Sequence, residues 1–285
     1  MTDVLAPLLA LPGVQTAVAE ARTAVDGLLS HRVLRRGSAE VTAESALRGA
    51  RASAQLEGAG IELERLRGQL MAGGTVTLPA RGTDGSRDER GARLVEGAVR
   101  LHADLGQVLV SWRHSPRQAL ARLHVLAASE VVPDADALGR PRPVGAPYDD
   151  PLELGPAPDP LEVAARLDGL ARVLVSGTSA PAVVVSAVVH GELMALRSFG
   201  TADGLVARAA ARLVLVDRGL DPKAVSAPEV GHAELHHDYA DALRAYVSGG
   251  PGGVATWLVH CARAVALGAR EGLAVCEAIK RGQTA

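Results

Sequence analysis

A chain of 285 residues that is 48% apolar can bury a full core as one large domain, or as one domain with a helical appendage, so disorder is not the default reading. A formal net charge of −2 excludes a strong field toward nucleic acid or an anionic membrane. The two Trp, three Tyr and one Phe are too few for a platform that stacks single-stranded bases.

Apolar residues recur at three- and four-residue steps through 14–32, 43–70, 88–113, 116–129, 159–176, 204–218, 229–247 and 254–280, which predicts an all-α protein. From the N-terminus, residues 1–71 read as helices preceding the core, 72–87 as a glycine-rich flexible loop, and 88–285 as the helical core with its C-terminal helices. Ser115-Pro116 and Asp159-Pro160 each offer a cap followed by Pro at the first helical position, and Gly219 can close a helix in the left-handed region. The proline-rich stretch 131–158 cannot be regular helix. Val183–Val189 is β-branched and reads as strand or as buried helix by periodicity alone. Cys261 and Cys276 share one expected helix, where fifteen residues at about 1.5 Å each set them roughly 22 Å apart, so they are expected as buried thiols and not a disulfide. No run of about 18 apolar residues occurs, and Asp3 stands where a secretory leader would be basic. Only Lys223 and Lys280 accompany the arginines, a bias of high-GC coding, and a cytoplasmic protein of bacterial type is expected.

The informative stretch is Arg197-Ser198-Phe199-Gly200-Thr201-Ala202-Asp203-Gly204-Leu205-Val206-Ala207-Arg208. It resembles the Fic (Fido) active-site signature His-Pro-Phe-x-Asp/Glu-Gly-Asn-Gly-Arg-x-x-Arg, with Phe199, Gly204 and Arg208 in place and His190 seven residues before Arg197, where the family usually has another histidine. Upstream, Ser53-Ala54-Gln55-Leu56-Glu57-Gly58 fits the pattern Ser/Thr-x-x-x-Glu-Gly/Asn of the inhibitory helix found in one large class of these proteins. Leu138-Gly-Arg-Pro-Arg-Pro143 is similar to the segment near the family's target-presenting flap, and Tyr239, Ala242-Leu243 and Trp257 resemble its C-terminal pattern. The resemblance covers roughly 40–280 and implies a Fic-like helical bundle with a short flap loop or hairpin. It also decides for helix at Val183–Val189, with Pro181 in its first turn.

In the family, the motif histidine is the general base toward a target hydroxyl, a carboxylate holds Mg²⁺, and the glycine-rich turn cradles nucleotide phosphates. Here Arg197 replaces the base and stays protonated at any physiological pH. Thr201 replaces the metal carboxylate, Asp203 brings negative charge to an asparagine position, and Leu205 removes a phosphate clamp. The resemblance therefore implies a degenerate site: a pseudoenzyme of the protein adenylyltransferase family, acting as a binding or regulatory module with no cofactor. It also implies an inhibitory contact in which Glu57 reaches Arg208 with Ser53 beside it, although Glu57 by spacing alone is an ordinary solvated helix residue.

The alternative is a divergent enzyme that uses ATP and Mg²⁺ to transfer a nucleotidyl group to a protein hydroxyl, or that removes one, with Glu57 handling the proton. Residual phosphate binding would fall to Gly204 and Arg208, with Arg197 adding charge. A protein partner and a homodimer are both compatible with the chain. No metal site is expected: His232 and His236 at i, i+4, with His237, Glu234 and Asp238 nearby, lack the His-Glu-x-x-His order, and His190 reads as a core histidine. Ser248-Gly-Gly-Pro-Gly-Gly253 lacks the ending of a phosphate loop and reads as a turn between helices.

Overall fold

The structure is a computed structural model and describes residues 3–79 and 85–282. Among these residues the chain forms eleven α-helices and no strand. In order they are α1 (Val14–Leu29), α2 (Ser38–Leu56), α3 (Leu63–Met71), α4 (Gly85–Trp112), α5 (Pro116–Ala128), α6 (Pro160–Ser176), α7 (Ala182–Leu196), α8 (Asp203–Asp217), α9 (Pro228–Glu234), α10 (His236–Ser248) and α11 (Pro251–Lys280). Residues 80–84 of the expected flexible loop lie outside the described residues, and α4 begins at Gly85. No helix among the described residues is long and apolar enough to cross a membrane.

The centre is α7. Every residue from Val183 to Leu196 except Glu192 is buried, and a helix that is apolar all round must lie inside. Burial thus overrides the strand preference of its valines, while Pro181 caps the helix and does not enter its first turn. The one charged residue of α7, Glu192, stays near the edge, where it takes Arg166 at 3.0 Å and the Tyr246 hydroxyl at 2.8 Å. Around α7 pack α8 and α11, with α4 and α5 behind α8, α1 along α11, and α2 between α4 and α9. Trp257 fastens α11 to α7 by donating its indole N–H to Ala187 O at 2.8 Å.

Two expected helices break in two. The span 43–70 ends its first helix at Leu56, because Gly58 adopts φ +83° and its N–H, with that of Ala59, turns back to Gln55 O and Ala54 O at 2.9 Å each. This pair of bonds satisfies the last carbonyls of α2 and stops it. The span 229–247 breaks at Leu235, whose ψ of 28° leaves the helical region, so His232 on α9 points inward while His236 and His237 on α10 are exposed. His232 and His236 therefore do not share one helix face. In the first span, α1 stops at Leu29 and a short 3₁₀ turn, Arg32–Arg35, follows.

Asp159 caps α6 as expected, accepting from the N–H of Leu161 at 2.8 Å and of Glu162 at 3.0 Å. Ser115 precedes Pro116 without a side-chain cap bond, and Gly219 follows α8 at φ +74°. Small residues let helices touch backbone to backbone. A Cβ on Gly97 of α4 would collide with the carbonyl of Ala127 on α5, whereas one on Gly106, farther along the same helix, would meet nothing within 4 Å. Gly97→Ala should lower stability by roughly 1–3 kcal/mol and Gly106→Ala should raise it by about 0.5–1 kcal/mol, as read from urea unfolding midpoints at constant slope.

Candidate active site

The motif forms the loop between α7 and α8, and its backbone is held in an uncommon shape. Arg197 ends α7 at φ 44°, Gly200 takes φ +81°, and Ala202 starts α8 at φ 57°; such left-handed residues without glycine's freedom persist only where neighbours fix them. The Phe199 ring supplies one anchor, stacked on the His124 ring with centroids 4.3 Å apart and planes within 7°. His124 is oriented by the Gly139 N–H, which donates to its Nδ1 at 2.9 Å, and burial pushes its pKa down to about 4. A second anchor is the irregular stretch after α5. It lies across the loop as a strap, with the N–H of Arg142 on Ser198 O and the N–H of Asp149 on Gly200 O, both at 2.8 Å. The expected flap is thus a loop among the described residues and not a hairpin of strands.

Arg197 points beneath this strap. Its Nη1 donates to Gly155 O at 2.6 Å and stands 3.0 Å from Asp150 Oδ2, while the Tyr148 ring lies over the guanidinium at 5.0 Å. Arg142 stacks on the same ring at 5.3 Å and donates its Nε to Arg197 O at 3.0 Å. Asp150 in turn is fixed by the N–H of Leu154 at 2.9 Å and of Gly155 at 3.1 Å. Arg197 is 3% exposed, so its charge is spent inside the strap. Sequence reasoning missed Tyr148, Asp150 and Gly155 as its partners. The signal available was only the irregular, proline-rich composition of 131–158.

On the other side of the loop, Arg208 gathers three elements. Its Nε donates to Ser53 Oγ at 2.8 Å, its Nη2 to Ser53 O at 3.0 Å and to Glu57 Oε1 at 2.6 Å, and its Nη1 to the Tyr239 hydroxyl at 3.2 Å. The structure brings together Ser53, Glu57 and Arg208, the residues that the resemblance grouped and that spacing alone did not, and Gly58 is the residue that ends α2 beside them. A Cβ on Gly204 would strike Glu57 Oε1, so the glycine is what lets the carboxylate sit at the first turn of α8, where the helix dipole favours a negative group.

The remaining motif positions complete the lining. Asp203 Oδ1 accepts the N–H of Phe199 at 3.0 Å, and burial pushes the Asp203 carboxyl up to about 7, with the nearby Glu57 and Asp149 charges adding to the rise against the N–H donors of Phe199 and Gly200. Leu205 is packed in the core and Thr201 is half-buried. His190 is a core residue whose Nε2 meets the Tyr239 hydroxyl at 2.9 Å. The space left between Glu57, Asp150, Arg197, Asp203 and Gly204 is about 20 Å³, room for one water, where small-molecule pockets measure ~300 Å³ or more.

The fold that presents this loop has counterparts among solved structures. A Fic family protein from Desulfovibrio desulfuricans superposes with a TM-score of 0.70 at 20% identity, covering 93% of this chain and 75% of that one. The chain has the Fic fold. Fic-1 from C. elegans matches at TM-score 0.66 and 16% identity over 95% of this chain and 74% of its own. A Fic domain containing signaling protein from Bacteroides thetaiotaomicron matches at 0.60 and 15% over 94% and 98%. No protein-family model and no curated protein matches the sequence. At these identities the Fic likeness fixes the architecture, and the chemistry has to be argued from the side chains above.

Two outcomes follow from the geometry of this Fic-fold loop. Glu57→Gln leaves the buried Arg208 charge without its partner and should cost about 3–5 kcal/mol, while Glu57→Leu combined with Arg208→Met should cost much less than the two single changes added; chemical denaturation of the four proteins checks the cycle. Asp203 has a folded pKa above its unfolded one. Its contribution to stability is therefore full below pH 4, falls as pH rises, and is lost above about 7. Asp203→Asn should stabilise the protein at pH 8 by at most about 4 kcal/mol, at about 1.36 kcal/mol per pKa unit, and leave a flatter thermal-midpoint profile between pH 4 and 8.

Proposed function

We propose that this Fic-fold chain does not transfer nucleotides and serves as a binding or regulatory module for a protein partner. The observation that carries the reading is Arg197. A general base at that position would have to accept a proton, and a guanidinium cannot do so; this one also donates to Gly155 O and pairs with Asp150. The other replacements act in the same direction. Thr201 offers a neutral hydroxyl where a hard cation needs a carboxylate, Leu205 places a methyl group where a clamp would be, and Asp203 with Glu57 sets acidic groups at the start of α8, the helix end that an anion would need. A cavity of about 20 Å³ supports a site filled by the protein's own side chains.

The test must separate a degenerate site from an inhibited one. Purified protein, and its Glu57→Gly variant with the carboxylate removed from Gly204, should both stay unlabelled when incubated with Mg²⁺ and ATP labelled on the α-phosphate, alone or with a cell extract of targets. A stoichiometric AMP adduct in either protein that disappears in Thr201→Ala or Arg197→Ala overturns the proposal. Label appearing only in Glu57→Gly would identify an enzyme under restraint.

A further inference from the structure

Behind the motif, α7, α9 and α11 enclose a second group of reactive side chains that the proposed function does not use. His190 on α7, His232 on α9 and Cys261 on α11 are all buried, and one ligand atom of each lies within 4.8 Å of the other two. They share a cavity of about 10 Å³ whose lining also includes Arg208, Arg212 and Glu229. We propose that His190, His232 and Cys261 form a three-ligand metal site for a divalent ion of the zinc class, with the fourth position open.

Three features of the cluster support this. The first is the orientation of the rings. His190 meets the Tyr239 hydroxyl through Nε2 at 2.9 Å, and His232 meets His260 Nε2 through Nδ1 at 3.0 Å, so each imidazole is fixed by one nitrogen and keeps the other for a ligand. Such outer partners are what orient metal-binding histidines. The second is size. Atoms about 2.0–2.3 Å from a tetrahedral zinc stand roughly 3.3–3.8 Å from one another, so the three must close by little more than an ångström, within the reach of side-chain torsions.

The third is unspent bonding capacity. Glu229 is 1% exposed, its Oε2 takes Arg212 at 3.2 Å, and its Oε1 has no partner among the described residues. A buried polar atom left unpaired is costly, and this one lines the same cavity as the cluster. The Cys261 thiolate would offset one charge of the ion, and Glu229 stays paired with Arg212. The neighbouring Arg208 keeps Glu57, and Arg212 keeps Ser45 Oγ and Ala224 O. On binding, the Cys261 thiol forms the S–metal bond and releases its proton to solvent. These ligands come from three helices that meet only in the folded protein, and nothing in their sequence order (x₄₁ then x₂₈) resembles a close-spaced metal motif.

Cobalt(II) is the probe, since it takes zinc sites and reports its ligands by colour. The full-length protein, freed of metal with a chelator and dialysed against cobalt, should retain one equivalent, with a near-ultraviolet sulfur-to-cobalt band and strong visible bands of a four-coordinate ion; one equivalent of zinc should abolish both. Cys261→Ser should lose the sulfur band and weaken retention at least about tenfold, and His260→Ala should weaken it by about 10–100-fold. Cys276→Ser and the exposed pair His236→Ala with His237→Ala should leave spectrum and stoichiometry unchanged. Circular dichroism on each variant verifies folding. Folded wild-type protein that retains no cobalt overturns the proposal, as does a cobalt spectrum that lacks the sulfur band, persists in Cys261→Ser, or vanishes with His236 and His237.

Discussion

The ion pair between Arg208 and Glu57 is the contact on which the arrangement of the site depends, because it joins residues 151 positions apart in the chain and does so out of water. Arg208 is 2% exposed, and an isolated guanidinium at that depth would cost many kcal/mol. It is tolerated because all three of its nitrogens donate: to Ser53 twice, to Glu57 and to the Tyr239 hydroxyl. Those partners belong to α2, its C-terminal cap and α10. Moving any of these elements would strand a charge, so the net stability of the pair matters less than the geometry it enforces.

The loop before α8 is constrained from the opposite side by a second, independent set of contacts. Arg197 is held through Nη1 by Gly155 O and Asp150, under the Tyr148 ring, while its Nε and Nη2 have no hydrogen-bond partner among the described residues. The loop therefore sits between two arginines that are each neutralised by the protein itself, one by an upstream helix cap and one by the strap. Asp203 lies between them, drawing the Phe199 N–H inward. Its carboxyl has only backbone N–H groups, of Phe199 and Gly200, to set against full burial, and burial lifts it.

How much of this was legible in the sequence varies with the range of the forces involved. The all-α architecture and the helical state of Val183–Val189 were readable, the first from periodicity and the second only through the resemblance, since a run of valines has no local signal to distinguish a buried helix from a strand. The meeting of Ser53, Glu57 and Arg208 was likewise implied by two motifs taken together. What escaped were effects that local pattern masks. Apolar spacing continues past Gly58 and past Leu235, so the periodic reading ran through both helix ends, although Gly58 carried the residue type that a left-handed cap demands. The break at Leu235 then turned His232 inward, toward His190 and Cys261, partners that no sequence interval could supply. The strap was recognisable only as irregular; that Asp150 and Tyr148 would cover Arg197 depends on where a long loop lands.

The start of α8 shows how such a site differs from one that receives an anion. A helix N-terminus offers unpaired N–H groups and a partial positive charge to whatever approaches, and here the carboxylate at that end is intramolecular. Glu57 is delivered by a turn whose position is set by the bonds of Gly58 and Ala59 to α2, and Gly204 leaves the space it occupies. An incoming anion would have to displace Glu57 and face Asp203, and would gain nothing from Arg197 unless the strap also opened. Since the turn belongs to α2 and the strap to the segment after α5, no single local motion does both. Under the proposed reading this is the reason the replacements in the motif matter as a set: removing the acidic cap from α8 still leaves Arg197 committed to Asp150, and freeing Arg197 still leaves the helix end occupied.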